Sequence, residues 1–297
     1  MAAHTHDGID WATRLTALRR ANELDAEAER VIARRLVRPL PDNPTVVDVG
    51  CGAGGMSVAL VEAMTARGGG TIVLVDAVPE LLDAATTAAR AAAAYETETT
   101  TSPVHVRPVL ADLATERPAD FAGPADLVWA ARVVHHLPDQ RQGVADLTGA
   151  LTPGGWLALA EGGLETKFLP WDVGIGEPGL QERLSYARAE WFVRMRESMT
   201  DFHRLPVGWN IVLAEAGLLD VTAFSYLVDH PAPAKQAVRD WAVEQLRWLA
   251  EVGGDRLHAA DRRTVTRLLD AEDSEYIGLR DDVFLLTAGT VHLGRKP

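Results

Sequence analysis

Val46-Val47-Asp48-Val49-Gly50-Cys51-Gly52-Ala53-Gly54-Gly55 is the stretch that decides the fold. Its β-branched valines suit a strand buried on both faces inside a parallel sheet. The turn that follows must bend sharply and let backbone N–H groups come close to a ligand, and Gly50, Gly52 and Gly54 remove the Cβ atoms that would block that approach. Met56 to Met64 then reads as a helix whose N-terminus points at the ligand, and Gly68-Gly69-Gly70 ends it. A strand, a glycine turn and a helix in this order make the ligand-binding edge of an α/β protein.

Gly50, Gly52 and Gly55 also satisfy G-x-G-x-x-G, the dinucleotide fingerprint, which on its own discriminates poorly. Further stations narrow the reading. Asp48 stands two residues before the first glycine. Thr71 to Asp76 is a second apolar strand, and its terminal acid lies about twenty residues past the glycines, where a carboxylate grips a ribose diol. Val109 to Leu113 ends a third strand with Asp112, placed to accept from an adenine amine. Ala125 to Asp139 contains a fourth strand and then His135-His136-Leu137-Pro138-Asp139, and Leu151-Thr152-Pro153-Gly154-Gly155 leads into a fifth strand ending at Glu161.

Together these segments resemble the class I S-adenosylmethionine-dependent methyltransferases in order and approximate spacing, well from Thr45 to Gly162 and loosely in the C-terminal strands. The resemblance implies an α/β fold, a Rossmann-like, seven-stranded, mostly parallel sheet with helices on both faces, plus helical lid insertions. It implies S-adenosylmethionine as cofactor, with Asp48 and the backbone of Gly50, Cys51, Gly52 and Gly54 at its methionine part. Asp76, with Ala77 beside it, goes to the ribose. Asp112 and the Leu113 amide go to adenine, and the backbone at Ala131 and Arg132 to the amino group.

Methyl transfer from a sulfonium is an in-line displacement, so the protein mainly aligns the nucleophile and excludes water. A base is needed only where the acceptor must lose a proton. His135, His136 and Glu161, at the carboxyl ends of the fourth and fifth strands, are the candidates, each also readable as a packing or hydrogen-bonding group. Trp171, Tyr186 and Trp191 are candidates for an aromatic acceptor pocket, although aromatics at helical spacing equally fill a core. Arg132 offers either a grip on an acceptor carboxylate or a plain ion pair. The remaining histidines show no metal-ligand clustering, so no metal is expected.

The rest of the chain organises around this centre. Asp10 to Val37 is one or two amphipathic helices with Leu15, Leu18, Leu24, Ile32 and Leu36 at helical spacing, giving an N-terminal cap over 1–43. The cofactor core spans 44–162. A lid insertion, 163–206, carries a helix near 180–199; the core continues over 207–230; a helical insertion fills 231–275; and 276–297 supplies the last core strand. Gln140 to Leu151 is read as a helix, Glu96 to Pro103 as an exposed loop.

The net charge of −13 argues against a polyanionic partner and so against nucleic acid, favouring a small-molecule or protein acceptor, of which the small molecule is the leading choice; no stretch approaches eighteen continuous apolar residues, so no membrane is expected. The single cysteine, Cys51, excludes an internal disulfide. The polar start at Met1 to Asp10 and the lack of a long apolar run lead to an expectation of a cytoplasmic protein. A homodimer is left open. The leading function is methyl transfer to O, N or C of a small molecule of specialised metabolism. An NAD(P)-dependent oxidoreductase with a similar glycine turn, and a non-catalytic adenosyl-binding module, are the alternatives.

Overall fold

The computed structural model describes residues 11–97 and 103–297. The expectations for Met1 to Asp10 and for most of the loop before Pro103 lie outside the described residues. The chain runs α1 (Trp11–Val37), β1 (Thr45–Val49), α2 (Gly55–Thr65), β2 (Gly70–Asp76), α3 (Pro79–Thr97) and β3 (Val104–Leu110). It continues through α4 (Pro118–Phe121), β4 (Ala125–Ala131), α5 (Gln140–Gly149), β5 (Leu151–Lys167), α6 (Leu180–Glu197) and α7 (Trp209–Glu215). Finally come β6 (Leu219–His230), α8 (Gln236–Gly253), α9 (Ala259–Leu269) and β7 (Leu285–Arg295).

The sheet has seven strands in the order β3-β2-β1-β4-β5-β7-β6. β1 pairs in parallel with β2 and β4, β2 with β3, and β4 with β5. Alternation along each strand sends side chains to opposite faces. Val46, Ile72, Leu74, Leu127 and Trp129 pack with Ile32 and Leu36 of α1, Leu60 and Met64 of α2 and Leu82 of α3. Val47, Val49, Val73, Val75 and Val128 pack on the other face with Val144 and Leu147 of α5 and Val212 and Leu213 of α7. Past Thr45 at its start, the only polar side chain of β1 is Asp48, which is 2% exposed.

The chain divides into two compact units, residues 1–162 with 199–226 and 289–297, and residues 163–198 with 227–288. The first carries the glycine turn. In the second, Phe168 is fully buried and meets Trp241 edge to face at 5.6 Å between ring centroids. Gln181, 3% exposed, accepts from the backbone N–H of Phe168 and Leu169, and the Arg183 guanidinium grips both oxygens of Asp261 at 2.8–2.9 Å.

Several boundaries differ from the sequence reading for identifiable reasons. Of the stretch read as one or two helices, Trp11–Val37 is one helix, because no breaker interrupts its buried stripe. α5 stops at Gly149, and Leu151 already pairs with Ala125, so the Leu151 to Gly155 segment is not a separate turn but the start of β5. Leu127 then pairs with Trp156, which makes Thr152 to Gly155 a bulge in which Gly154 takes φ +84°. Strand β5 also runs past Glu161 to Lys167. Gly162-Gly163 reads locally as a loop, but the Thr287 hydroxyl bonds to the Leu164 carbonyl and lies 3.1 Å from that of Thr166, so pairing overrides local preference.

Candidate functional site

β1 delivers the glycine turn to the carboxyl edge of the sheet. The N–H groups of Gly50 and Cys51 donate to the carbonyl of Val75 at 2.8 and 3.1 Å, which folds the turn onto the end of β2. Gly50, Gly52 and Gly54 all have positive φ. A Cβ on Gly50 would lie 2.4 Å from Val133, and one on Gly54 would lie 2.7 Å from the backbone of Ala85, whereas a Cβ on Gly52 would meet nothing within 4 Å and project into open space. α2 starts directly after this turn with no side-chain cap of its own. Asn22 of α1 substitutes for one: with its carbonyl turned inward it accepts from Gly55 N–H at 3.0 Å and donates to the Leu18 carbonyl at 3.2 Å.

Asp76 closes β2 with its carboxylate held at both ends. One oxygen accepts from Gly52 N–H at 2.9 Å, the other from Val78 N–H at 3.0 Å. Asp112 forms a turn on Ala114 N–H at 2.9 Å. These groups border a cavity of about 210 Å³ in the first unit. Of the residues picked out from sequence, Gly50, Gly52, Asp76, Ala77, Asp112, Leu113, Ala131, Arg132 and His136 line it. Leu18, Val78, Leu81, Ala111, Ala114, Val133, Leu137, Pro138 and Met199 complete the wall. Leu18 was visible as part of the apolar stripe of α1; Met199 carries no sequence signal.

Asp48, Cys51, Gly54, His135 and Glu161 stand behind the wall rather than in it. Asp48 is buried under the turn and accepts from Ser57 Oγ at 2.6 Å, and Cys51 packs into the core with Met56 and Leu60. Burial pushes the Cys51 thiol well up. Glu161, 3% exposed, accepts at Oε1 from Val133 N–H at 3.0 Å, Val134 N–H at 2.9 Å and His135 N–H at 3.4 Å. Its Oε2 lies 2.7 Å from His135 Nδ1. Glu161 thus fastens the short 3-10 turn Val134–His136 that follows β4 and sets the His135 ring, which lies 4.1 Å from the His136 ring between centroids. Trp171, Tyr186 and Trp191 all belong to the second unit: Trp171 and Tyr186 are exposed, and Trp191 packs edge to face on Trp248. Among the described residues no three His, Cys, Asp or Glu side chains converge as a metal site.

A polar cluster that the sequence did not announce adjoins the turn. Arg132 takes φ +56°, which swings its side chain to α1, where Nη2 lies 3.4 Å from Asp25 Oδ2. Burial pushes the Tyr226 hydroxyl up, with the nearby Arg132 guanidinium opposing the shift. Glu29, one α1 turn further on, is pushed up to about 8 by burial and then by Asp25. Burial likewise raises Asp48 to about 7, with Asp76 adding to the shift and Ser57 opposing it.

Both acids hold protons in the native state that the unfolded chain has released, so stability falls as pH rises from about 4 through about 7 to 8 and levels off above. Asp48→Asn, which stays neutral, is expected to be more stable than the parent at pH 8 and no more stable at pH 5. Urea midpoints at the two pH values measure this, and an advantage that does not depend on pH overturns the Asp48 assignment.

Residues 47–157 match a family model described as a methyltransferase domain. The trans-aconitate 2-methyltransferase of Azoarcus sp. (strain BH72) is 34% identical over 48% of this chain and 47% of that protein. The biotin biosynthesis bifunctional protein BioCD of Bordetella avium (strain 197N) is 30% identical over 54% of this chain and 28% of that protein. The chain therefore spans half or less of the curated relatives it matches. Among solved structures, the phosphoethanolamine N-methyltransferase 2 of Haemonchus contortus in complex with S-adenosyl-L-methionine is 17% identical, covering 91% of this chain and 52% of that one, with a TM-score of 0.43. Over residues 47–157 the chain carries a methyltransferase domain.

Proposed function

We propose that this chain is an S-adenosylmethionine-dependent methyltransferase that acts on a small-molecule acceptor of specialised metabolism in the cytoplasm. The observation that carries the reading is the cavity edge at which Gly52, Asp76 and Asp112 meet. Gly52 presents open space where a side chain would intrude, and Asp76, oriented by two backbone N–H groups, places an acceptor carboxylate at the cavity edge, the group a vicinal diol needs. Apolar Val78, Leu81 and Leu113 beside Asp112 suit a flat, hydrogen-bonding base. The residues fit the cofactor that the family uses, which supplies a methyl group already activated on sulfur.

The work left to the protein is placement. The backbone at Gly50 and Ala131 holds the amino-acid end of the cofactor, Asp76 and Ala77 the ribose, and Asp112 and the Leu113 amide the adenine. Asp48, Cys51 and Gly54 support the turn from beneath. His136 borders the cavity and is the group to take a proton where an acceptor carries one, while Glu161 and His135 position it. The carboxylate of Glu161 accepts from Nδ1–H of His135, which in the neutral ring leaves Nε2 as the acceptor nitrogen.

The sheet order also bears on the oxidoreductase alternative. Dinucleotide-binding doubly wound sheets run 3-2-1-4-5-6. Here the last strand is inserted between the fifth and the sixth. The acidic balance favours a small-molecule over a nucleic-acid acceptor, and no described helix is long and apolar enough to cross a membrane.

Calorimetric titration with S-adenosylmethionine, S-adenosylhomocysteine and NADPH side by side tests the reading. Binding of the adenosyl pair alone supports it; binding of NADPH alone overturns it. Asp76→Ala is expected to weaken S-adenosylhomocysteine by about 1–3 kcal/mol, the scale for removing a buried hydrogen-bonding partner. Unchanged affinity removes Asp76 from the ribose site.

A further inference from the structure

We propose that the acceptor is an anion, carrying a carboxylate that seats on the guanidinium of Arg132; this rests on the methyltransferase reading above. Arg132 is the only lysine or arginine that lines the cavity among the described residues, and 71% of its side chain is accessible. An ordinary surface arginine is exposed because nothing surrounds it. Arg132 is exposed and also lines a cavity bordered by the glycine turn, Asp76 and His136.

Its backbone explains how. Arg132 N–H bonds the Ala160 carbonyl at 3.0 Å, and the residue then adopts φ +56°, a conformation rare for a non-glycine residue. That backbone carries the cationic side chain away from the end of β4.

The partners leave the guanidinium under-used. Among the described residues Asp25 is the one carboxylate in an ion pair with it, at 3.4 Å, long for a charge-assisted hydrogen bond. A guanidinium has five N–H donors arranged as a fork that matches a carboxylate in bidentate fashion. Asp25 therefore engages one nitrogen of the fork, in a residue that also lines the cavity.

The test loads the protein with S-adenosylhomocysteine at ten times each variant's own Kd and titrates citrate as the anionic probe, with its neutral triethyl ester as control. Citrate is expected to bind in the submillimolar range, more weakly with added salt, while the ester does not bind. Arg132→Gln is expected to lose at least tenfold in citrate affinity, and Arg132→Lys to fall between, because it keeps the charge but not the fork.

Asp25→Asn removes the competing carboxylate and is expected to tighten citrate several-fold, a gain that a purely structural Arg132–Asp25 pair would not give. Equal citrate binding by wild type and Arg132→Gln, or no detectable binding to wild type at 10 mM, overturns the anion site. Absence of S-adenosylhomocysteine binding to wild type is a different result: it overturns the cofactor reading, and the citrate titration of the unloaded protein then decides the anion site separately.

Discussion

Glu161→Ala is expected to cost about 3–5 kcal/mol of stability, the range for breaking a buried charged network by deleting one member. The carboxylate is the shared acceptor for three backbone N–H groups, of Val133, Val134 and His135, and for the His135 ring. Its removal leaves those donors without their shared acceptor.

Glu161→Gln separates the two duties. Glutamine keeps one acceptor oxygen for the backbone donors, so the denaturation midpoint should recover most of the loss. Its amide, however, donates where the carboxylate accepted, and so favours the His135 tautomer protonated at Nε2. Nitrogen-15 NMR of the imidazoles reads that change directly. If glutamine destabilises as much as alanine, or the His135 tautomer is unaltered, Glu161 does not position His135.

The second large effect falls on the glycine turn and differs from one glycine to the next. Gly54→Ala should cost about 2–5 kcal/mol: roughly 1–2 for a left-handed non-glycine residue and roughly 1–3 for overpacking. The overpacking is not relievable, because the new Cβ would lie 2.7 Å from the backbone Cα of Ala85 in α3. Gly52→Ala carries the left-handed penalty alone, since nothing lies within 4 Å of the new methyl group.

That methyl group projects into open space at a residue that lines the cavity, so Gly52→Ala should fold nearly as well as the parent and lose cofactor affinity. Thermal melting together with calorimetry on both variants resolves the pair. A well-folded Gly52→Ala with full affinity for S-adenosylhomocysteine would show that this edge of the cavity does not hold the cofactor.

The parts of the site legible in sequence were those written into contiguous residues. In β1 with its glycine turn, the acid at the end of β2 and the Asp112-Leu113 pair the signal lies within a few positions, and the structure brings Gly50, Gly52, Asp76, Asp112 and Leu113 to one cavity. Glu161 was legible as an acid near a strand end but not in its role, because its partners lie 26–28 residues away across the sheet. Asp48 looked like a ligand-facing acid and is instead a buried one, bonded to Ser57.

The Arg132 cluster was the least visible. It joins Asp25, Arg132 and Tyr226 from a helix and two strands far apart in sequence, and only the left-handed turn at Arg132 brings them together. The boundaries of β5 were misread because Gly162-Gly163 signals a loop locally while pairing with β7 keeps it extended.

The cap that Asn22 lends to α2 makes the first helix a reporter of occupancy. Leu18 forms part of the cavity wall and Asn22, one turn on, holds the N–H of Gly55, so loosening α1 breaches the cavity and uncaps α2 together. By mass action, a ligand that binds only the closed arrangement at about 100 times its Kd slows any opening required for exchange by about 100-fold. Amide deuteration along Leu15 to Glu29 would then track filling of the cavity without a label, an assay or a known acceptor.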